Sequence, residues 1–381
     1  MNVTPIKTKK PRARKAPKPN KVRKHADLGL PVELAVPLHA ALSRKRSADS
    51  PGEGQYVAWL VQYVSKYTPL QMVDGSGNLY FKINCADGTD PTTLFVAHTD
   101  TMSYDYGMPN TYGISGRVLH AMDGDVLGAD NGAGCSLMCW LIAHKVPGTY
   151  IFTRMEECGG IGAKAVRDTF PTLLRKHNRA ITFDRRGVAD IITHQGGSRC
   201  CSDDFAWELA CQLNEADDSM LYCPSDRGVY TDTKEFIRHI PECTNISTGY
   251  DNEHGPSEIL NLTHYEALAH AILKVDWERL PVERSVSTVS PRPRSPFEGN
   301  LLDSEELTIY DEALVDFSMG KKKGLLDLLS QDLYPDDPAM AMRFLDMEKL
   351  DEAIIKEARY KYPEDGIAFL LTHAMVGGAV A

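Results

Sequence analysis

The run Leu94-Phe95-Val96-Ala97-His98-Thr99-Asp100 is apolar for four residues and then turns polar at a histidine and an acid. A short apolar run bounded by polar residues reads as a buried strand, and His98 falls at its carboxyl end. With the strand predicted over 93–97, similar runs at 150–153, 180–183 and 244–247 give four. Helical patterning lies between and after them, at 133–144, 162–169, 203–213, 233–238 and 264–277. Upstream, GQYVAWLVQYVSKY at 54–67 reads as an amphipathic helix. Residues 72–74 and 79–83 flank the turn Gly75-Ser76-Gly77-Asn78, as in a hairpin. Strands alternating with helices predict an α/β fold with a mostly parallel, mixed central sheet and helices on both faces. Ligands of such sheets sit beyond the carboxyl ends of the strands.

Further polar groups fall at those ends. Leu127-Gly128-Ala129-Asp130-Asn131-Gly132-Ala133-Gly134 sets Asp130 among small residues just before an apolar helix. Small residues let the backbone approach a bound ion, although Asp130 or Asn131 also suits a helix cap. Glu156 and Glu157 follow the strand at 150–153 and precede Cys158-Gly159-Gly160. Neighbouring side chains diverge there, so one carboxylate can ligate metal while the other serves as general base to a water. Asp184 ends the run at 180–183 and is followed by Arg185 and Arg186. His254 lies in the loop Gly249-Tyr250-Asp251-Asn252-Glu253-His254-Gly255-Pro256-Ser257-Glu258. Asp100 suits the acceptor that a ligating histidine needs on its second ring nitrogen. Each residue alone reads as surface charge, cap or ion pair. Together, two histidines and three carboxylates at strand ends of one sheet fit divalent ions with mixed N and O ligands.

In this order, the motifs HTD, GADNGAG, MEECGG, FDR and GYDNEHGPSE, with DGSGNLYFKI upstream, resemble the co-catalytic two-zinc exopeptidases. That group comprises aminopeptidases, carboxypeptidases and related deacylases, and the resemblance spans roughly residues 54–280. It implies a zinc-exopeptidase-like fold and two divalent metal ions, zinc by default. His98 and Asp184 would hold one metal, Glu157 and His254 the other, and Asp130 would bridge them. Glu156 would be the general base and later the acid, with Asp100 orienting His98. Gly228-Val229-Tyr230-Thr231-Asp232-Thr233 resembles the family's loop near the substrate pocket, which assigns Asp232 to substrate binding. Asp184 and His254 are only 70 residues apart, too few for an inserted lid or dimerisation domain of ~100 residues. The chain therefore resembles the single-domain aminopeptidase branch. The expected activity is release of N-terminal residues from peptides. One alternative is a carboxypeptidase or N-acyl amino acid deacylase, with Arg185 or Arg186 holding a substrate carboxylate. Another is an inactive binding protein that uses a basic tail.

The chain has 381 residues, 43% of them hydrophobic, so a sizeable core is expected. A formal charge of -10 argues against a nucleic-acid binder using its whole surface. Residues 1–28, however, carry seven Lys and three Arg against one Asp. That Pro-rich stretch is expected to be a disordered basic tail able to contact nucleic acid non-specifically. It lacks the interleaved aromatics needed for base stacking. The catalytic domain is assigned to 29–283, a Pro/Ser/Arg linker to 284–300 and a small helical extension to 301–381. No run of 18 apolar residues and no secretory signal are present, so no membrane span is expected and the location is read as cytoplasmic. Nine cysteines, an odd number, suggest free thiols in a reducing compartment. No oligomeric state is implied.

Overall fold

The computed structural model describes residues 20–103 and 106–286. The four predicted strands form the middle of an eight-stranded sheet. Its members are β1 (Leu70–Val73), β2 (Leu79–Ile83), β3 (Thr93–His98), β4 (Gly148–Thr153), β5 (Arg179–Arg185), β6 (Asp190–Ile192), β7 (Cys223–Ser225) and β8 (Glu242–Ser247). The spatial order is β7-β6-β8-β5-β3-β4-β2-β1. Strands β8, β5, β3 and β4 run parallel. The hairpin β1–β2 joins antiparallel at one edge, and β6 pairs antiparallel with β8 at the other. The sheet is therefore mixed with a parallel centre. Every residue of β3, β4 and β8 is buried, which explains continuous apolar runs in place of alternation. Along β3, Leu94 and Val96 join the core on one face, while Phe95 and Ala97 join the core on the other.

The helices are α1 (Val32–Leu42), α2 (Pro51–Val64), α3 (Ala129–Ala143), α4 (Ile161–Thr169), α5 (Pro171–Leu174), α6 (Asp203–Ala216) and α7 (Leu262–Ala271). Ser50, Ser202 and Asn261 accept backbone N–H groups at the starts of α2, α6 and α7, replacing partners that the first helical turn lacks. Helix α3 is buried from Ala129 to Ile142 and packs on β3 and β5. Gly134 makes that approach possible: a Cβ there would lie 2.4 Å from the Phe183 carbonyl and 2.1 Å from Asn131 Oδ1.

Several elements differ from expectation. A second, five-stranded sheet joins Asn20–Lys21, Tyr112–Ser115, Val118–Ala121, Ile259–Asn261 and Tyr250–Asp251. Its strands have two to four residues, too short to leave a periodic signal. Residues 20–28, expected within the disordered tail, instead pack on the body: Asn20 pairs with Ile114, and Val22 and Leu28 are buried. Two apolar side chains outweigh the local basic composition. The predicted helix at 233–238 is a 3-10 turn over Asp232–Phe236. Helix α7 ends at Ala271, before Trp277, whose ring packs edge-on against Phe95 with centroids 5.1 Å apart. Arg284, expected in the linker, is 7% exposed and donates to the Ile237 and Ile240 carbonyls. Residues 1–19, the rest of the linker and the extension at 301–381 lie outside the described residues. All nine cysteines are free thiols. No helix among the described residues is long and apolar enough to cross a membrane.

Candidate active site

His98 is the last residue of β3 and Asp184 the sixth of β5, its parallel neighbour. Their side chains therefore emerge side by side at one end of the sheet. His98 Nε2 lies 3.4 Å from Asp184 Oδ1 and 3.1 Å from Asp130 Oδ1. Asp130 enters from the kinked start of α3, where Asp130 and Asn131 leave helical geometry. Its second oxygen, Oδ2, is 3.2 Å from His254 Nε2, and that nitrogen is also 3.2 Å from Glu157 Oε2. Two ligand clusters result, His98/Asp130/Asp184 and Asp130/Glu157/His254. They share Asp130, with one of its oxygens turned to each histidine.

The surroundings fix these groups. Asp184 accepts from the Thr231 hydroxyl at 2.7 Å and the Tyr250 hydroxyl at 3.3 Å. Glu258 accepts from the amides of Gly128 and Asp130 at 2.8 and 2.9 Å, holding the turn that carries Asp130. Asp100 Oδ1 is 3.4 Å from His98 Nδ1. The same carboxylate accepts from the amides of Glu156 and Glu157, each at 3.1 Å. The Asp100 carboxylate thus lies beside the His98 ring and also pins the turn bearing both glutamates, a contact the sequence did not suggest. Met155, just before them, has φ +58°, a conformation uncommon for a side-chain-bearing residue.

Gathering so many acids in a buried place changes their proton affinity. Burial, and then the charge of Asp130, push Asp184 up to about 6 and Glu157 up to about 7. Burial raises Glu156 well above the usual carboxyl range; His98 draws it down, and Asp184 and Glu157 add to the rise. Burial also opposes charge on Asp130, yet its bonds to His254 and His98 hold it below the ordinary carboxylate value. Bonds to Asp130 and Glu157 raise His254 to about 11.

The clusters open into a cavity of about 510 Å³ whose walls include Glu156, Arg185, Arg186, Tyr230, Thr231 and Tyr250. Of the predicted site residues, the structure brings His98, Asp100, Asp130, Glu156, Glu157, Asp184 and His254 together. Arg185 lines the cavity but is held by Asp190 at 2.9 Å, and Arg186 by Glu253 at 3.1 Å. Asp232, read from the sequence as a residue near the substrate pocket, is buried. It is 1% exposed and accepts from the Thr153 hydroxyl beneath the site, because its 3-10 turn directs it into the protein. Glu258, Thr231 and Tyr250 were not singled out. All three stood inside quoted motifs, but nothing there distinguished an inward side chain from a solvated one.

A mixed sheet with buried acids and histidines at the carboxyl ends of its parallel strands defines an α/β protein of the zinc-exopeptidase fold. Aminopeptidase PepT from Bacillus cereus superposes with a TM-score of 0.53 at 14% identity, over 64% of this chain and 96% of that one. A tripeptidase from Staphylococcus aureus gives a TM-score of 0.53 at 12% identity, over the same 64% and 96%. No protein-family model matches the chain, and no curated protein matches it in sequence.

Proposed function

We propose that the chain is a two-metal amide hydrolase, an aminopeptidase that releases N-terminal residues from peptides. The observation that carries this reading is Asp130, whose two oxygens address His98 and His254 at 3.1 and 3.2 Å. The donor set fits divalent ions. It offers two imidazoles and three carboxylates, the ligand atoms of each cluster lie within 4.8 Å of one another, and Glu157 Oε1 is buried without a hydrogen-bond partner among the described residues. Mixed N and O donors suit zinc. His98 and Asp184 would hold one ion, Glu157 and His254 the other, and Asp130 both.

Two such ions, when bound, acidify a water and polarise an amide carbonyl. The chain's own residues do the rest. Glu156 lines the cavity beside Glu157 and removes the proton from the attacking water at a carboxylate oxygen. It then returns that proton to the departing amide nitrogen. Asp100 keeps Glu156 in place through its backbone amide and holds the His98 ring through Nδ1. Thr231 and Tyr250 fix the rotamer of Asp184. Burial raises the proton affinity of Glu156, which favours a group that takes a proton and passes it on.

A second reading rests on Arg185 and Arg186 in the cavity wall: a carboxypeptidase or N-acyl amino acid deacylase, with a guanidinium receiving the substrate carboxylate. Their ion pairs with Asp190 and Glu253 compete with that use, so the aminopeptidase reading is preferred. The test is hydrolysis of paired short peptides, one with a free and one with an acetylated N-terminus, by zinc-loaded protein. Cleavage confined to the free amine is the expected result. Preference for the acylated partner overturns it in favour of deacylation, and no hydrolysis of either leaves a binding protein.

A further inference from the structure

One short segment, residues 46–53, reaches beneath three of the turns that carry the site. Arg46 is 0% exposed and, among the described residues, has no carboxylate partner. Its Nη1 donates to the Thr99 carbonyl at 3.1 Å and its Nη2 to the Gly128 carbonyl at 2.8 Å. Its own carbonyl accepts from the Thr101 amide at 2.9 Å, and its guanidinium lies over the Tyr56 ring, 4.8 Å from the centroid. One fork therefore ties the turn after His98 to the turn before Asp130. Gly132 leaves room for it, since a Cβ there would come within 3.0 Å of Nη2. Glu53, also fully buried, accepts from the Thr99 hydroxyl at 2.7 Å and from Arg154 at 3.1 and 2.7 Å. Arg154 leads directly into Met155 and Glu156. Glu53 thus links the His98 turn to the third turn, the one bearing the two glutamates.

A buried cation without an ion pair is unfavourable unless its surroundings offset it. Here both accepting carbonyls lie within two residues of a buried acid, Asp100 or Asp130. The rigid guanidinium fork can bond two carbonyls at a fixed spacing, which a lysine ammonium on a flexible stem does not reproduce.

We propose that Arg46 is a positioning residue that sets the spacing between the His98 turn and the Asp130 turn, with Glu53 extending the brace to Glu156. This rests on the two-metal reading above. Arg46 touches neither substrate nor metal; it acts through Thr99 and Gly128.

The test uses the full chain as wild type, Arg46→Lys and Arg46→Met. Zinc affinity is measured by competition with a chelator, kcat and KM on a cleaved peptide, and thermal unfolding without metal. Supporting groups of this kind typically change metal affinity or activity about 10–100-fold. Arg46→Lys keeps charge and length but reaches one carbonyl, so about a tenfold loss of zinc affinity is expected, with kcat lowered and KM unchanged. Arg46→Met is expected to lose about 100-fold. A role in folding alone would lower the metal-free unfolding temperature and leave zinc affinity per folded molecule untouched. If Arg46→Met does not fold, Arg46→Lys decides: wild-type zinc affinity and kcat in that variant overturn the proposal. A wild type that binds fewer than two ions overturns the two-metal reading and this inference with it.

Discussion

The two halves of the site are built differently. His98 and Asp184 stand on adjacent parallel strands of the central sheet; His98 pairs with Thr153 of β4, the Asp184 backbone is held through both its N–H and its carbonyl by the Asn245 side chain, and the His98 ring is buried. Glu157 and His254 come from turns beyond the strands. There Met155, Asn252 and His254 adopt φ of +58°, +57° and +63°, and the His254 side chain is 48% exposed. Side-chain-bearing residues in that region each cost of order 1 kcal/mol or more. The first half rests on strand ends, whereas in the second the turn bearing Glu157 is held against backbone preference by Asp100. Asp130 joins the rigid half to the strained one.

The sharpest way to break this contrast is Asp130→Ala, which removes a ligand from both halves. Elemental analysis is expected to fall from two metal ions per chain to none, with loss of hydrolysis. Two tightly held ions in that variant would remove the bridging role. Next in size is Glu156→Gln, which leaves both ligand sets intact. It should keep its metal while kcat drops by roughly 10²–10⁴; hydrolysis at the wild-type rate would end the general-base assignment.

A subtler comparison sets His98→Ala against His254→Ala in metal-free protein. Removing the buried His98 strands the carboxylates of Asp130 and Asp184 and is expected to cost about 3–5 kcal/mol of unfolding free energy. Removing the half-exposed His254, which leaves Asp130 paired with His98, should cost less. Equal costs by denaturant titration would mean that the halves are equally rigid.

The smallest effect is on pH dependence. Asp184 and Glu157 rise on folding from ordinary values of 3.8 and 4.5 to about 6 and about 7. A carboxyl raised this way binds more protons folded than unfolded. Its stabilisation is present below its ordinary value and lost as pH rises through the folded value. His254, raised from 6.5 to about 11, acts in the same direction at higher pH. The metal-free unfolding temperature should therefore fall as pH climbs from about 4 towards 7. With zinc the trend reverses, because the metal takes deprotonated ligands. Glu157→Gln should flatten the metal-free slope; an unchanged slope would place its origin elsewhere in the molecule.

Much of this was legible in the chain itself. The strands at 93–97, 150–153, 180–183 and 244–247 could be read because parallel strands covered on both faces must be apolar throughout. Polar residues at their ends then stand out by contrast. Asp130 was found through its small-residue surroundings, needed where a helix start packs closely on β5. Arg46 and Glu53 escaped because basic and acidic residues near a helix start read as solvated surface, and only burial distinguishes them. Asp232, read as a residue near the pocket, is likewise buried. A motif gives the position of a residue along the chain but not the direction of its side chain, and a 3-10 turn sent this one inward.

The sequence by itself determined the α/β class, the order of the strands along the chain and the kinds of side chain at their ends, since these follow from local hydrophobic patterning and donor chemistry. The tertiary structure alone decided which residues meet. Asp130 and His254 are more than a hundred residues apart in sequence, and Arg46 lies as far upstream of Glu156. Their contacts depend on sheet order and on loops whose paths no local pattern specifies. The charge environment follows from the same cause, because proton affinity is set by burial and by neighbours that only the folded chain brings together.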